Sequence, residues 1–390
     1  MKNFFSIPLI AALVVWVACL AVGFELSQRR PLWNDEIFTQ VQSIEPKSYQ
    51  NLLRGQIPEG NNCPLFYVLQ KSVCDVLHYQ YSGSWKGEWF VYEHRSQVVL
   101  RTLSNVLMST AIALIFYFFA RFYTLGAGLF ALAAVLAAPM VWMYWLESRP
   151  YALWFFLTTV QSLLFLRVLD GRKQSSRGWL WLALVHVSLA LTTSLGAAQV
   201  VIASILFWVF KDRRWWHYIF LTVIPLLITI FYYSHTLKFK YWFREGPVQL
   251  FLQSVPVEYW MILMVYVVVM VFAMFVRVNQ KAEKENDFKI SYALYAVLTF
   301  IVAWMLLGFL KWEARWVTIG FAISSRYFIF LIPVAVIALT LCVLDLWRVF
   351  KNNLWMRINV LIVVFGFLAF RAFKTYIAVL ASGIFMHVIR

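Results

Sequence analysis

The chain has 390 residues, of which 62% are hydrophobic and only 13% are charged, and its formal net charge is +16. Apolar runs recur along the whole sequence, and many are long enough to cross a bilayer core of roughly 30 Å. A soluble domain would not carry so much apolar surface between so few charges. This composition excludes a soluble globular protein and predicts an all-α polytopic membrane protein.

The positive charge does not indicate a nucleic-acid-binding protein. Lys and Arg residues are spread over short segments between the apolar runs and are not collected on one basic segment. That distribution is typical of the loops of a membrane protein, whose cytoplasmic segments carry an excess of basic residues. Membrane lipid, and not nucleic acid, is therefore the expected partner of these loops.

Eleven membrane spans are predicted from the apolar runs. In chain order they cover 4–24, 99–119, 125–145, 151–168, 178–194, 197–210, 216–234, 257–276, 290–310, 327–345 and 357–371. The apolar tail 375–389 fits either a twelfth crossing or a helix that lies in the interface. We expect one transmembrane domain over 1–390, without a separate soluble domain.

The basic residues of the loops predict the orientation. With the N-terminus in the cytoplasm, the connections that fall inside carry a Lys/Arg excess or a lone Arg, for example 170–177 and 277–289. The first loop, 25–98, and the segments 235–256 and 311–326 are then external. The expected location is the plasma (inner) membrane, with a multi-pass topology and a site on the external, periplasmic side.

The first external loop is predicted to be structured. Apolar residues recur at helical spacing after Asp35 and again after Pro64, which indicates two amphipathic helices near the interface. Asn62 is the expected N-cap of the second helix, and Pro64 fits its first turn. Tyr67 lies in that same first turn. The loop is thus predicted to form a small cap on the outer surface.

Two adjacent carboxylates stand shortly after the first predicted span, in the segment Trp-Asn-Asp-Glu-Ile-Phe. On a helix, the side chains of Asp35 and Glu36 point about 100° apart, so they cannot both face one substrate atom. Acidic residues in a first turn also stabilise a helix through its dipole, which is the alternative without catalysis. The pair is a candidate catalytic site in which one carboxylate acts and the other supports it.

Three arginines are predicted at the same side of the membrane. Arg101 lies at the outer end of the second span, where snorkelling to the interface is the alternative interpretation. Arg149 follows Glu147 in Glu-Ser-Arg-Pro-Tyr, where the two could form a surface pair. Arg326 precedes Tyr327, an expected aromatic-belt residue, at the start of the tenth span. Because guanidinium groups bind phosphate in a bidentate manner, carboxylates beside several arginines suit an anionic lipid-linked substrate.

The order of these motifs resembles that of a known superfamily. A first transmembrane helix is followed by Trp-Asn-Asp-Glu, Pro-Leu-Phe-Tyr, Leu-Arg-Thr-Leu-Ser, Glu-Ser-Arg-Pro-Tyr and a late Ser-Arg-Tyr. This pattern is similar to the GT-C integral-membrane glycosyltransferases, and most similar to the group of protein O-mannosyltransferases and aminoarabinose transferases. The resemblance extends from residue 1 to about residue 340, and the Asp-Glu pair is its most specific element.

The resemblance implies a polyprenyl-phosphate sugar donor, an acceptor on the external side and inversion at the anomeric carbon. Asp35 matches the catalytic carboxylate and general base, with Glu36 beside it. The acceptor is expected to be a glycolipid, a cell-envelope polymer or a protein, and the sugar stays open. The residues expected at the donor phosphate are Arg149, Arg326, Arg101 and Tyr327, and those expected elsewhere in the cavity are Asn62, Tyr67, Glu147 and Tyr151.

The chain departs from the family pattern just before Pro64. The group usually has His or Lys two residues before this proline, then a second proline, whereas this chain has Asn62 and Cys63. The aminoarabinose branch has a Glu-Lys pair where this chain has Asn61 and Asn62. The departure removes a phosphate-contacting cation and a candidate metal ligand. It argues against that branch, and no cofactor is predicted, although a divalent metal stays open.

Two other classes of protein compete with the enzyme. A lipid flippase or transporter would place ionisable residues near the middle of the bilayer, whereas here they gather at helix ends. A scaffold without activity would not need several external arginines that face acidic residues. The enzyme interpretation predicts that Asp35, Arg149 and Arg326 line one cavity that opens sideways to lipid.

Overall fold

The structure is a computed structural model, and it describes residues 6–30, 32–59, 62–79, 94–170, 178–211, 213–235, 240–243, 254–276, 287–313, 320–323, 325–350 and 354–388. Much of the loop charge used to predict the orientation, including 171–177 and 277–286, lies outside these residues. So do Asn61 and the segment 80–93 of the loop that is predicted to be external.

Helices make up nearly all of the described chain, as the composition predicts. In order they are α1 (Ile7–Arg29), α2 (Asn34–Phe38), α3 (Tyr49–Leu53), α4 (Pro64–Val76), α5 (His94–Phe122), α6 (Leu125–Ala137), α7 (Pro139–Tyr144), α8 (Tyr151–Asp170), α9 (Gly178–Ala190), α10 (Gly196–Phe210), α11 (Ile224–His235), α12 (Val257–Val276), α13 (Asp287–Glu313), α14 (Leu331–Val349) and α15 (Leu354–Val388). Two π-helical segments, Thr39–Ile44 and Ile219–Val223, precede α3 and α11, and a 3₁₀ turn, Ser325–Phe328, precedes α14.

Five of the described helices are long and apolar enough to cross a membrane, and six shorter helices are also apolar. Many large apolar side chains on the outer helices are exposed, for example Val14 of α1 (63%), Val268 of α12 (62%) and Ile362 of α15 (64%). Water would not tolerate this surface, whereas lipid tails do. The predicted all-α integral membrane protein is therefore confirmed.

Two predicted spans are interrupted where the chain cannot keep a regular helix. The span predicted over 125–145 divides into α6 and α7, because Pro139 has no N–H and Ala138 before it adopts an extended conformation. The span over 216–234 begins with the π-helical turn Ile219–Val223. The tail 375–389 is not a separate element, because α15 runs without a break through Val388.

The core of the bundle lies between α5, α6, α8 and α14. α1 packs along α5, and α6 approaches α5 so closely that a Cβ atom at Gly128 would lie 2.8 Å from Cβ of Ala120. Trp154 of α8 stacks on Phe330 just before α14, with ring centroids 4.9 Å apart. This stack fixes the 3₁₀ turn that carries Arg326 against the start of α8.

Two short strands are an addition to the predicted elements. β1 (Lys240–Phe243) pairs in parallel with β2 (Gly320–Ile323), and Lys240 lies opposite Gly320. Both strands belong to segments that the loop charges predict to be external. Their pairing shows that the two segments lie at the same end of the bundle.

Candidate active site

The site begins with the short helix α2, which follows α1 directly. The backbone N–H of Trp33 donates to the Glu36 carboxylate at 3.2 Å, and this contact closes the first turn of the helix. The first turn directs the two adjacent acids to different surroundings. The side chain of Glu36 is 1% exposed, whereas that of Asp35 is 31% exposed.

Glu36 forms a buried bidentate ion pair with Arg101 of α5. Nε of Arg101 lies 2.9 Å from Oε1 of Glu36, and Nη2 lies 2.6 Å from Oε2. The backbone N–H of Ser148 also donates to Oε1 at 2.9 Å. Nη1 of Arg101 donates to the carbonyl of Arg30 at 2.6 Å. The pair of Glu36 and Arg101 thus joins the end of α1, the N-terminal part of α5 and the turn before α8.

This geometry does not fit the expectation that Glu36 takes part in catalysis and that Arg101 binds the donor phosphate. The side chain of Arg101 is 4% exposed, and carboxylate and carbonyl oxygens already surround its guanidinium group. Neither residue presents a polar group to an incoming ligand. They instead hold the segments that carry the exposed charges.

Asp35 lies between two arginines from distant segments. Nη1 of Arg326 donates to Oδ2 of Asp35, and Nη1 of Arg149 lies 3.3 Å from the same oxygen. Nη1 of Arg149 also donates to the Asp35 backbone carbonyl at 3.2 Å. The two arginine side chains are 10% and 11% exposed. The structure therefore brings together the three residues on which the enzyme interpretation depends.

A third carboxylate, Glu59, holds Arg149, and the sequence analysis missed it. Oε2 of Glu59 lies 3.0 Å from Nη2 of Arg149, and Oε1 accepts a hydrogen bond from Ser43 at 2.7 Å. Glu59 is buried, with 4% of its surface exposed. Because Glu59 fixes one edge of the guanidinium group, the other edge of Arg149 is directed at Asp35.

Asn62 and Tyr67 hold the start of helix α4 in place. Asn62 does not cap α4 as expected, since Cys63 occupies the cap position and makes no side-chain cap bond. Asn62 pairs instead with Thr193 in an isolated bridge, and its amide donates to the Tyr67 hydroxyl at 3.0 Å. These contacts attach the start of α4 to the turn between α9 and α10.

Aromatic rings surround the guanidinium group of Arg326. The rings of Trp33, Tyr151 and Tyr327 have their centroids 5.9, 5.9 and 5.7 Å from it. Tyr151 also lies 5.8 Å from the guanidinium group of Arg149. Rings at this distance attract a cation and limit its contact with water. Tyr151 and Tyr327, both predicted at the site, thus contact the charged pair.

Glu147 is buried beside the site and does not form the surface pair suggested by its spacing from Arg149. Its backbone carbonyl accepts from the hydroxyl of Ser104 at 2.6 Å, and its side chain is enclosed by protein. Burial raises the pKa of Glu147 to about 8, although the charge of Arg149 opposes the increase. Its carboxyl group is therefore mostly protonated at neutral pH.

The described residues include no group of three or more His, Cys, Asp or Glu that could hold a metal ion. Asp35, Glu36 and Glu59 are each paired with the guanidinium group of an arginine. Such an arrangement can bind an anion through its arginines and accept a proton at a carboxylate.

The fold and the site define a class of protein, a polytopic helical membrane protein with acids and arginines at one end of its bundle. No family model matches the chain, and a search of curated proteins gives no match. Four chains of solved structures match this chain. Two of them are ArnT from Cupriavidus metallidurans bound to undecaprenyl phosphate and the same protein in the apo state.

Both comparisons give a TM-score of 0.51, with sequence identities of 13% and 14%. They cover 95% of this chain and 75% and 76% of the two ArnT chains. At this identity the likeness shows the fold alone, and the described helices share the fold of ArnT.

Proposed function

We propose that this protein is an integral-membrane glycosyltransferase that moves a sugar from a polyprenyl-phosphate donor to an acceptor on the external face. The observation that carries the proposal is the position of Asp35, a partly exposed carboxylate held by Arg149 and Arg326 at one end of the bundle. ArnT shares this fold, and its structure has been solved with undecaprenyl phosphate bound, which supports the choice of donor.

The two arginines suit the donor phosphate. Among the described residues, neither Nε of Arg149 nor Nε of Arg326 has a hydrogen-bond acceptor, although both atoms are buried. A buried donor without an acceptor costs free energy. A phosphate oxygen would satisfy both atoms and would compete with Asp35 for the guanidinium groups. Donor binding thus releases the carboxylate for chemistry.

The reaction needs one base and no acid. An acceptor hydroxyl or amine attacks the anomeric carbon, the bond from this carbon to the phosphate oxygen breaks, and the electron pair leaves with the phosphate. Asp35 takes the acceptor proton. Arg149 and Arg326 neutralise the charge that grows on the leaving phosphate. A single in-line displacement inverts the anomeric carbon, so one carboxylate is sufficient.

The other charged residues have supporting roles in this proposal. Glu36 and Arg101 fix α2 to α5 and to Ser148, so that Asp35 points at the arginines. Glu59 orients Arg149 by its ion pair with Nη2 of the guanidinium group. Neither Glu36 nor Glu59 contacts the reacting atoms.

The test is the transfer of a labelled sugar by purified Asp35→Asn. Membranes or detergent-solubilised protein are offered radiolabelled polyprenyl-phosphate sugars, and the labelled product is identified. The variant should stay folded and lose transfer, because asparagine keeps the shape of the side chain and cannot accept the proton. Glu25→Gln is the matched control, since Glu25 is an exposed acid near the same end of the bundle whose partner among the described residues is Arg29, at 2.5 Å.

The proposal fails if Asp35→Asn transfers sugar at the wild-type rate. It also fails if the product keeps the anomeric configuration of the donor, because retention requires two displacements. Thermal unfolding of the variant, compared with that of Glu25→Gln, separates loss of chemistry from loss of fold.

A further inference from the structure

A second cluster of charges lies at the same end of the bundle, next to α7. It consists of Glu258 at the start of α12 and of Arg371 and Lys374 on α15. α7 contacts both the 3₁₀ turn that carries Arg326 and helix α15. The cluster is therefore separate from the candidate active site and close to it.

Helix α15 is docked so that both cations face Glu258. The hydroxyl of Thr375 donates to the backbone carbonyl of Ala137, at the end of α6, at 2.9 Å. Residues three and four apart share one face of a helix, so Arg371 lies on the same face as Lys374 and Thr375. The docking contact thus fixes where the cations stand.

The carboxylate of Glu258 is buried and lacks hydrogen bonds. Glu258 is 2% exposed, and among the described residues neither of its oxygens has a hydrogen-bond partner. Nη1 of Arg371 and Nζ of Lys374 lie 3.6 and 3.7 Å from these oxygens, which is beyond hydrogen-bond distance. A structural ion triplet would close these gaps. Here both carboxylate oxygens keep unused capacity to accept hydrogen bonds.

The charge of the cluster suits a phosphodiester. Two cations and one carboxylate leave a net charge of about one positive unit, and a phosphodiester carries one negative charge. Nε of Arg371 is buried without a hydrogen-bond acceptor. A phosphate oxygen would satisfy this donor and the ammonium group of Lys374, whose side chain is 49% exposed.

The surroundings are those of a lipid-facing surface. Phe370, Phe373 and Tyr376, on the same stretch of α15, are 53%, 60% and 61% exposed. Aromatic residues at this level of a membrane helix are typical of the interface, where phospholipid headgroups lie. The exposed part of Lys374 therefore lies beside a surface that suits lipid headgroups.

We propose that Glu258, Arg371 and Lys374 bind the headgroup of an anionic phospholipid that carries free hydroxyl groups, such as phosphatidylglycerol. The phosphodiester contacts Arg371 and Lys374, and the headgroup hydroxyls donate to the oxygens of Glu258. The site does not depend on sugar transfer, and its test needs no activity measurement.

The first test compares three lipids on the purified full-length protein by native mass spectrometry. Phosphatidylglycerol has the charge and the hydroxyls, phosphatidylethanol has the same charge without hydroxyls, and phosphatidylcholine has neither. We expect phosphatidylglycerol to bind about tenfold more tightly than phosphatidylethanol, because only its headgroup hydroxyls can donate hydrogen bonds to the charged carboxylate of Glu258. Equal binding of these two lipids would overturn the proposal.

The second test uses variants of the cluster. Arg371→Gln combined with Lys374→Gln should lose the bound phosphatidylglycerol, and Glu258→Gln alone should lose the preference over phosphatidylethanol. Arg29→Gln is the matched control, because Arg29 is an exposed cation that already pairs with Glu25. Unchanged lipid binding by the double variant contradicts the proposal. If that variant does not fold, the lipid preference of Glu258→Gln and the comparison of the three lipids on the wild-type protein still test the proposal.

A competition experiment with a soluble headgroup distinguishes a membrane phospholipid from a soluble phosphodiester as the ligand. Glycerophosphoglycerol has the phosphodiester and the hydroxyls but no acyl chains. We expect it not to displace bound phosphatidylglycerol at millimolar concentration, because the acyl chains hold the lipid in the surrounding bilayer or micelle. Displacement with equal affinity would show a site for a soluble phosphodiester and contradict the lipid assignment.

Discussion

Asp35 and Glu36 are neighbours in the chain, yet their surroundings differ completely. Glu36 is buried in a bidentate ion pair with Arg101 and accepts a backbone hydrogen bond from Ser148. Asp35 is 31% exposed and shares one oxygen between Arg149 and Arg326. A turn of about 100° between adjacent helical positions is sufficient to produce this difference.

The difference separates two uses of the same chemistry. A buried pair whose hydrogen bonds are all made fixes the structure, and a ligand cannot take its place. A partly exposed pair with unused donor atoms can exchange one anion for another. We therefore assign Glu36 and Arg101 to the positioning of the cap, and Asp35, Arg149 and Arg326 to the chemistry.

The largest expected effect is the loss of stability when the buried pair is broken. Glu36→Gln leaves the charge of Arg101 buried and uncompensated, which should cost about 3–5 kcal/mol of unfolding free energy. The measurement is thermal unfolding of the purified protein in detergent. Asp35→Asn is the comparison and should unfold close to the wild-type temperature. Equal destabilisation by the two changes would remove the distinction between the acids.

The next effect is the loss of activity without loss of fold in Arg326→Lys. Lysine keeps the positive charge but has no second N–H edge for a phosphate or for Asp35. We expect transfer activity to fall about 10²–10³-fold, while the unfolding temperature changes little. Arg348→Lys, at the opposite end of α14, is the control. Wild-type activity in Arg326→Lys would mean that this arginine does not contact the transferred charge.

A pH-dependent effect is expected from Glu147. Its pKa is raised to about 8 from an ordinary value of 4.5, so the folded protein keeps a proton that the unfolded chain releases between these two values. Stability from this group is therefore complete at low pH and decreases as the pH rises from about 4.5 to about 8. Glu147→Gln removes that dependence.

The measurement is thermal unfolding of both proteins at pH 6 and pH 8.5. Relative to wild type, Glu147→Gln should gain about 2 kcal/mol between these conditions. Parallel pH dependence in wild type and variant would show that Glu147 does not retain its proton.

The smallest effect is expected at Glu59. Glu59→Gln weakens the hold on one edge of Arg149 but leaves Asp35 and Arg326 in place. We expect about a tenfold higher KM for the donor, equivalent to about 1.4 kcal/mol, with little change in kcat. Ser43→Ala, which removes only the hydrogen bond to Glu59, should change KM less. A large fall in kcat with unchanged KM would instead place Glu59 in the chemical step.

The sequence was sufficient to predict that the acids and arginines gather at one end of the bundle, because consecutive spans alternate in direction and these residues all stand at ends that face the same way. It was also sufficient to predict that the side chains of Asp35 and Glu36 point in different directions. It did not predict which acid is buried, since the pairing of Glu36 with Arg101 joins residues 65 positions apart. That choice depends on how α1 packs along α5.

The structure differs from the sequence-based prediction at two further places, the helix break at Pro139 and the role of Glu59. The break at Pro139 was visible, because a proline inside an apolar run interrupts a helix, but the run around it was continuous enough to predict one span. Glu59 carried almost no signal. It is a single acid among turn-forming residues, and its role appears only when Arg149 and Ser43 are brought to it by the fold.

The most direct test of the account is a cryo-electron microscopy structure of the protein with undecaprenyl phosphate. We expect the phosphate within hydrogen-bond distance of both Arg149 and Arg326, with the Asp35 carboxylate beside it and the Glu36 pair unchanged. A phosphate bound at another place, with Asp35 still held by both arginines, would contradict the assignment of this end of the bundle to catalysis.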